Sequence, residues 1–201
     1  LYQLTRDYGI LYVADEVQSG MGRTGKMFAS EHFDIIPDII TVAKGIASGL
    51  PLSATVASEK IMNWLPGSHA STFGGNPVSC QTALTTIRLL EDGLIDNAAK
   101  QGAYMINELK KLERTYPLIG DVRGLGLMLA VEIVKDKETK EYAPEVRDII
   151  VQKAFSKGLL LLGCGRSAIR FCPPLILTKN DADIAVSIFE ECLRETIQSK
   201  L

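Results

Sequence analysis

The sequence predicts an α/β protein, in which strands of a parallel-type sheet come first and a smaller α+β part follows. Residues 10–14 and 39–43 are near-continuous apolar runs, which is typical of parallel strands that are buried on both faces. From about residue 78 onward, apolar residues recur instead at helical spacing over two long segments. These two observations place sheet strands early in the chain and helices with short strands later.

The first part is predicted to hold three strands and one helix. The predicted strands are residues 10–14, 39–43 and 52–57. A helix is predicted over residues 78–90, where apolar residues share one side, and Asp92 and Gly93 end it. The domain boundary is therefore placed here, with a sheet-containing domain over residues 1–92 and a small C-terminal domain over residues 93–201.

The second part is predicted to alternate helices with short strands. Helices are predicted over residues 94–112 and 144–157, with Pro144 at the first helical position of the latter. A last helix is expected to begin with Asn180 or Asp181 as its cap. The predicted strands are residues 122–134, 159–162 and 169–172.

Composition excludes several classes of partner. The 201 residues carry a formal net charge of −2, which gives no electrostatic attraction for nucleic acid or anionic membranes. The longest uncharged stretch, residues 45–58, is shorter than the roughly 18 residues of a membrane helix. Four cysteines without a C-x-x-C pair, and two histidines, argue against a zinc site and fit a reducing, cytoplasmic setting. We expect no nucleic-acid partner, no membrane and no metal.

Residues 20–26 match two nucleotide-binding motifs at once, because they read both G-x-G-x-x-G and G-x-x-x-x-G-K. The dinucleotide motif needs its first glycine directly after a strand, but five residues separate the predicted strand from Gly20. The phosphate-binding loop needs Ser or Thr after its lysine, where this chain has Met27. A flexible, polar loop is the favoured interpretation, and nucleotide binding through Gly20 to Lys26 stays a remote alternative.

Asp15 and Lys44 follow two neighbouring predicted strands, at the edge of an open α/β sheet where ligands bind. Taken singly, each is explained as a turn residue. Taken together, a carboxylate and an amine suit pyridoxal phosphate (PLP), which needs a lysine for its Schiff base and an acid for its ring nitrogen. The pair therefore predicts a PLP site.

Three segments in order make the sequence resemble the class III, fold-type I PLP-dependent aminotransferases. They are residues 15–25 (D-E-V-Q-S-G-M-G-R-T-G), residues 37–54 (P-D-I-I-T-V-A-K-G to P-L-S-A) and residues 71–77 (S-T-F-G-G-N-P). The resemblance continues through residues 123–127 and 169–175 and covers nearly the whole chain. It implies that residues 1–92 are the C-terminal part of the PLP-binding large domain, and that the enzyme is a homodimer with shared active sites.

The resemblance also implies roles for residues near the cofactor ring. Lys44 would form the Schiff base with PLP and then move a proton between substrate and cofactor. Asp15 would pair with the ring nitrogen, Val17 would pack on one ring face, and Gln18 would reach the phenolic oxygen. Lys44 and Asp15 are thus the predicted catalytic residues.

Three further residues are assigned by the same resemblance. Thr72, with Ser71 beside it, would bind the PLP phosphate of the neighbouring subunit. Arg170 would receive a substrate carboxylate, a task that suits the two parallel hydrogen bonds of a guanidinium.

The resemblance is closest to 4-aminobutyrate aminotransferase and to its C-terminal half. It implies transfer of an amino group from an ω-amino acid to a 2-oxo acid such as 2-oxoglutarate, and we expect this 201-residue piece alone to be inactive. Because the same lysine and aspartate serve other PLP reactions, an amino-acid racemase or decarboxylase of the same fold stays open as an alternative.

Overall fold

The computed structural model describes residues 1–198, which divide into two compact units. The first unit is Leu1–Asp96 and the second begins at Asn97. Both units combine helices and sheet, so the α/β fold class is confirmed. The domain boundary between residues 92 and 93 stays a prediction.

The first unit contains a three-stranded sheet in the order β1-β2-β3. Its strands are β1 (Val13–Asp15), β2 (Ile39–Val42) and β3 (Ala54–Ala57), and its helices are α1 (Tyr2–Asp7) and α2 (Pro77–Leu89). β1 and β2 are parallel, and β3 is antiparallel to β2. Short 3₁₀ helices cover Ala29–Phe33, between β1 and β2, and Lys44–Ala47, directly after β2.

The start of α2 follows from its sequence. The side-chain oxygen of Asn76 accepts hydrogen bonds from the N–H groups of Val78 and Ser79 at 3.0 and 3.2 Å, and Pro77 occupies the first turn. After α2, Gly93 has φ +128° and interrupts the helical path, as the Asp92-Gly93 pair predicted.

The prediction that the first two strands are buried on both faces is wrong for this chain. Val13 in β1 is 53% exposed, whereas Val42 is the one buried residue of β2. In the three-stranded sheet of the first unit, only β2 has a strand on each side, so β1 is an edge strand of the described residues.

The second unit contains a four-stranded antiparallel sheet in the order β4-β5-β7-β6. The strands are β4 (Ile119–Leu125), β5 (Met128–Ile133), β6 (Leu162–Cys164) and β7 (Ala168–Phe171). The helices are α3 (Ile95–Thr115), which begins two residues before the second unit does, α4 (Pro144–Ser156) and α5 (Lys179–Gln198). The predicted strand over residues 122–134 is a hairpin of two strands, because the chain turns at residues 126 and 127, where Gly126 adopts a positive φ.

One face of this sheet packs into the hydrophobic core of the second unit. Along β5, Leu129, Val131 and Ile133 are buried, while the alternate residues are partly exposed. The cap of α5 is Thr178 rather than Asn180 or Asp181. The Thr178 hydroxyl accepts the Asp181 N–H and the Asp181 carboxylate accepts the Thr178 N–H, so Asp181 belongs to the first turn. In the described part of the chain, no helix is long and apolar enough to cross a membrane.

Candidate active site

Asp15 and Lys44 lie at the carboxyl ends of neighbouring parallel strands. Asp15 is the last residue of β1 and is paired in register with Thr41 of β2. Lys44 follows two residues after the end of β2 and opens the 3₁₀ helix there. The parallel register therefore brings the predicted acid and the predicted amine to one edge of the sheet.

The Lys44 side chain is directed at the loop that follows Asp15. Its Nζ donates a hydrogen bond of 2.9 Å to the Oε1 of Gln18. The Lys44 backbone has φ +44°, in the left-handed region that non-glycine residues rarely adopt, and such strain clusters at functional sites. The contact joins two of the predicted cofactor residues across the two strands.

The Asp15 carboxylate is held by two donors. Its Oδ1 accepts the backbone N–H of Val17 at 3.1 Å and the hydroxyl of Thr41 at 3.2 Å. Both donors bond the same oxygen, so Oδ2 is left for another partner. Sequence reasoning quoted Thr41 in a motif without giving it a role, and only the register of the two strands reveals its contact.

Glu16 is a second residue that sequence reasoning missed. Although it is a carboxylate, it is only 3% exposed. Its Oε1 accepts the N–H of Ser30 at 2.8 Å and its Oε2 accepts the hydroxyl of Ser19 at 2.5 Å. These bonds anchor the chain segment that follows Asp15.

The glycine loop after this segment is packed, so the prediction of a flexible, polar loop is wrong. Met21, Gly22 and Thr24 are buried. The N–H of Gly22 bonds the carbonyl of Met27 at 3.3 Å, and the N–H of Gly25 bonds the carbonyl of Gly22 at 3.0 Å. A phosphate loop presents free N–H groups and leads into a helix, neither of which these glycines provide, so the geometry gives nucleotide binding no support.

Ser71 and Thr72 lie in a segment, residues 63–78, in which every residue is exposed. The carbonyl of Ser71 accepts the N–H of Gly74 at 3.2 Å, which closes a tight turn there. Among residues 1–198, no hydrogen bond joins either hydroxyl to Asp15 or Lys44. The structure therefore does not bring these two residues together with the rest of the site, and their phosphate role stays a prediction.

Arg170 lies in the second unit, on the partly exposed face of its sheet. Register places it opposite Ala130, which in turn lies opposite Arg123, so two arginines flank one small residue. The guanidinium of Arg123 donates to Asp121 at 2.8 Å and to Glu132 at 2.7 Å, and these carboxylates raise the pKa of Arg123. Within residues 1–198, Arg170 has no carboxylate partner at salt-bridge distance. Of these two arginines, Arg170 is therefore the one without a carboxylate partner among the described residues.

The groups in the first unit fit PLP chemically. Lys44 offers an exposed amine, Asp15 an oriented carboxylate with one open oxygen, and Gln18 a side-chain amide that already contacts the amine. Over the same described residues, no group of His, Cys, Asp and Glu side chains is arranged to hold a metal ion.

Comparison with known proteins shows similarity to one family of enzymes over nearly the whole chain. The family model Aminotransferase class-III matches residues 1–193. A leucine/methionine racemase of Thermococcus litoralis is 44% identical over 97% of the chain, and a probable 4-aminobutyrate aminotransferase of Bacillus subtilis is 39% identical over 94%. A solved transaminase from the marine bacterium Virgibacillus superposes with a TM-score of 0.93 at 32% identity over the whole chain.

The matches also show how much of these proteins the chain represents. It covers 44% of each of the two relatives and 48% of the solved transaminase. The chain therefore spans less than half the length of the proteins it resembles. Its structural neighbours are transaminases, which confirms the fold-type I architecture and implies PLP as the cofactor.

Proposed function

We propose an activity from one premise: the chain belongs to the class III aminotransferase family. The intact protein is a PLP-dependent enzyme that moves an amino group from an amino acid to a 2-oxo acid. The observation that carries this proposal is the 2.9 Å hydrogen bond from Lys44 to Gln18, beside an Asp15 carboxylate that is already oriented at the same sheet edge.

PLP, when bound, supplies an electron sink for the bonding pair that the substrate carbon releases. Lys44 would provide the amine that attaches the cofactor, and once released this amine would take the proton from the substrate carbon and deliver it to the cofactor carbon. Asp15 would hold the ring nitrogen of the cofactor through its carboxylate, of which Thr41 and Val17 bond only Oδ1. Val17 would pack on one ring face, and Gln18 would hold the phenolic oxygen.

Arg170 binds the substrate carboxylate. Its guanidinium has no acidic partner among the described residues, in contrast to Arg123, which two carboxylates neutralise on the same sheet face. An ω-amino acid such as 4-aminobutyrate places its amine away from its carboxylate, and the name of the Bacillus subtilis relative supports this donor. We propose 2-oxoglutarate as the acceptor, because the same arginine then serves both substrates.

The protein works as a homodimer with shared active sites. The support is the exposed segment of residues 63–78, which carries Ser71 and Thr72 together with the large apolar side chains of Trp64 and Phe73, 54% and 66% exposed. Thr72 and Ser71 bind the phosphate of the cofactor in the neighbouring subunit. The four free cysteines support a reducing, cytoplasmic setting.

Reduction with borohydride tests the lysine assignment. In the intact protein, reduction in the presence of PLP should leave a stable pyridoxyl group on Lys44, which peptide mass spectrometry locates. The matched control is Lys26→Gln, since Lys26 is an exposed lysine of the glycine loop, and it should label as the wild type does. A pyridoxyl group on another lysine, or undiminished labelling of Lys44→Gln, would contradict the proposal.

A racemase is the second candidate, and the 44% identity to a leucine/methionine racemase favours it specifically. Lys44 and Asp15 serve both reactions, since each begins with removal of a proton from the substrate carbon. Incubation of the intact protein with L-leucine and no oxo acid separates the two. Racemisation of leucine, without glutamate formation from 4-aminobutyrate and 2-oxoglutarate, would replace the transaminase proposal. Release of carbon dioxide would instead indicate a decarboxylase.

A further inference from the structure

We propose that Thr41 is a positioning residue, which aims the Asp15 carboxylate relative to Lys44; this inference rests on the proposed function of the same site. Thr41 touches neither substrate nor cofactor in this assignment and acts through Asp15. The geometry that points to this role is the parallel register, which pairs Asp15 of β1 with Thr41 of β2.

The two donors to Asp15 differ in what they can fix. The Val17 N–H belongs to the same chain segment two residues on, so its 3.1 Å bond orients the carboxylate only relative to its own loop. The Thr41 hydroxyl lies on the neighbouring strand, and its 3.2 Å bond ties the carboxylate to β2. Because Lys44 comes three residues after Thr41, this second bond sets the acid against the strand that carries the amine.

Thr41 also holds the backbone next to Asp15. Its carbonyl accepts the N–H of Glu16 at 2.9 Å, which extends the pairing of the two strands by one residue. The same residue thus fixes the main chain after Asp15 with its carbonyl and the Asp15 side chain with its hydroxyl. Two contacts from one residue leave the carboxylate little freedom to rotate toward another orientation.

Strand formation does not explain the hydroxyl. β2 is otherwise built from Ile39, Ile40 and Val42, and a β-branched valine would suit position 41 of a strand as well as threonine does. Thr41 is half-buried, and its hydroxyl donates to Asp15. The hydrogen bond to Asp15 therefore explains why position 41 carries a hydroxyl.

The test is a double-mutant cycle on the intact protein, with Thr41→Val as the perturbation and Asp15→Asn as the second site. T41V keeps the β-branched shape and removes the donor, so we expect PLP affinity and kcat to fall about tenfold each, with KM for the amino donor unchanged. T41S keeps a hydroxyl and should recover most of both losses.

The cycle separates positioning from a structural role. If Thr41 acts through Asp15, T41V in the D15N background should change the PLP dissociation constant by less than the single substitution does. An equal loss in both backgrounds, a loss that appears only as a lower melting temperature of the apoprotein, or no loss at all would overturn the inference. Borohydride labelling of Lys44 in each variant reports on the proposed function separately, because labelling that persists while T41V is silent contradicts only the role of Thr41.

Discussion

Replacement of Gly102 by alanine should destabilise the second unit, although the position lies within a helix. Gly102 is buried in α3, where it packs directly against Gly126 in the turn between β4 and β5. A Cβ at position 102 would lie 2.1 Å from the carbonyl oxygen of Gly126 and 2.5 Å from its Cα. These are backbone atoms, so the contact cannot be relieved by rotation of a side chain.

Whether Gly102→Ala stabilises or destabilises the protein depends on which of two effects is larger, helix propensity or overpacking. Helix propensity favours alanine over glycine by about 1 kcal/mol at an interior helical position. Overpacking costs about 1–3 kcal/mol in an ordinary core and more where the backbone must move. A contact of 2.1 Å is about 1 Å shorter than real Cβ contacts, so the helix or the hairpin must shift. We expect Gly102→Ala to lower the free energy of unfolding by roughly 2 kcal/mol or more.

Urea unfolding of the intact protein, followed by circular dichroism, measures this loss. The matched control is Ala103→Gly, at the next residue of α3, which is exposed. This control changes only helix propensity and should cost about 1 kcal/mol. A G102A protein as stable as the wild type, or more stable, would refute the argument that the close approach of α3 to the hairpin outweighs propensity.

Three further outcomes follow from named contacts. The hydrogen bond from Arg6 lowers the pKa of Asp38 to about 2, so this carboxylate stabilises the fold above about pH 4 and ceases to do so as the pH falls toward 2. Asp38→Asn should therefore flatten the dependence of the unfolding free energy on pH in that window, as measured by unfolding at stepped pH. Ser167 is fully buried, and its hydroxyl bonds two backbone groups. Ser167→Ala should therefore lower the free energy of unfolding in urea by about 1–3 kcal/mol. The control Ser156→Ala, at an exposed hydroxyl, should lower it by less than about 0.5 kcal/mol. Asn97 donates to two carbonyls of the loop after β7, at 2.6 and 3.1 Å, so Asn97→Ala should speed hydrogen exchange in residues 172–178 with little change in β5.

The spacing of apolar residues predicted most helices and strands to within a few residues, because each element buries one face and that burial sets the spacing. The hairpin of β4 and β5 was missed for a specific reason. Residues 122–134 read as one apolar run, but the chain turns at Gly126, whose φ is +52°, while Gly124 remains within β4 opposite Leu129. Two glycines spaced by one residue inside a strand-like run are a signal that could have found it. The exposure of β1 was not predictable from its own residues, because burial depends on what packs against a strand.

The candidate site was predictable to the extent that it lies at strand ends. Asp15 and Lys44 follow apolar runs, so their position at one sheet edge was readable from pattern alone. The contact of Thr41 with Asp15 depends on the register of β1 against β2, which separates them by 26 positions in the chain. The burial of Glu16 likewise depends on Ser30, beyond the glycine loop, so no local pattern announces it.

The glycine loop shows how a motif can match a nucleotide fingerprint and serve another purpose. Met21 has φ +55° and is buried, and its Cβ would lie 3.5 Å from a Cβ built on Gly45, the residue after Lys44. Gly20 must remain glycine because a Cβ there would approach the carbonyl of Glu16 to 2.8 Å. The loop thus places Met21 beside Gly45, in the turn that carries Lys44. The glycines therefore serve the close turns of this packed loop, and the spacing that resembles a phosphate motif is explained by that packing.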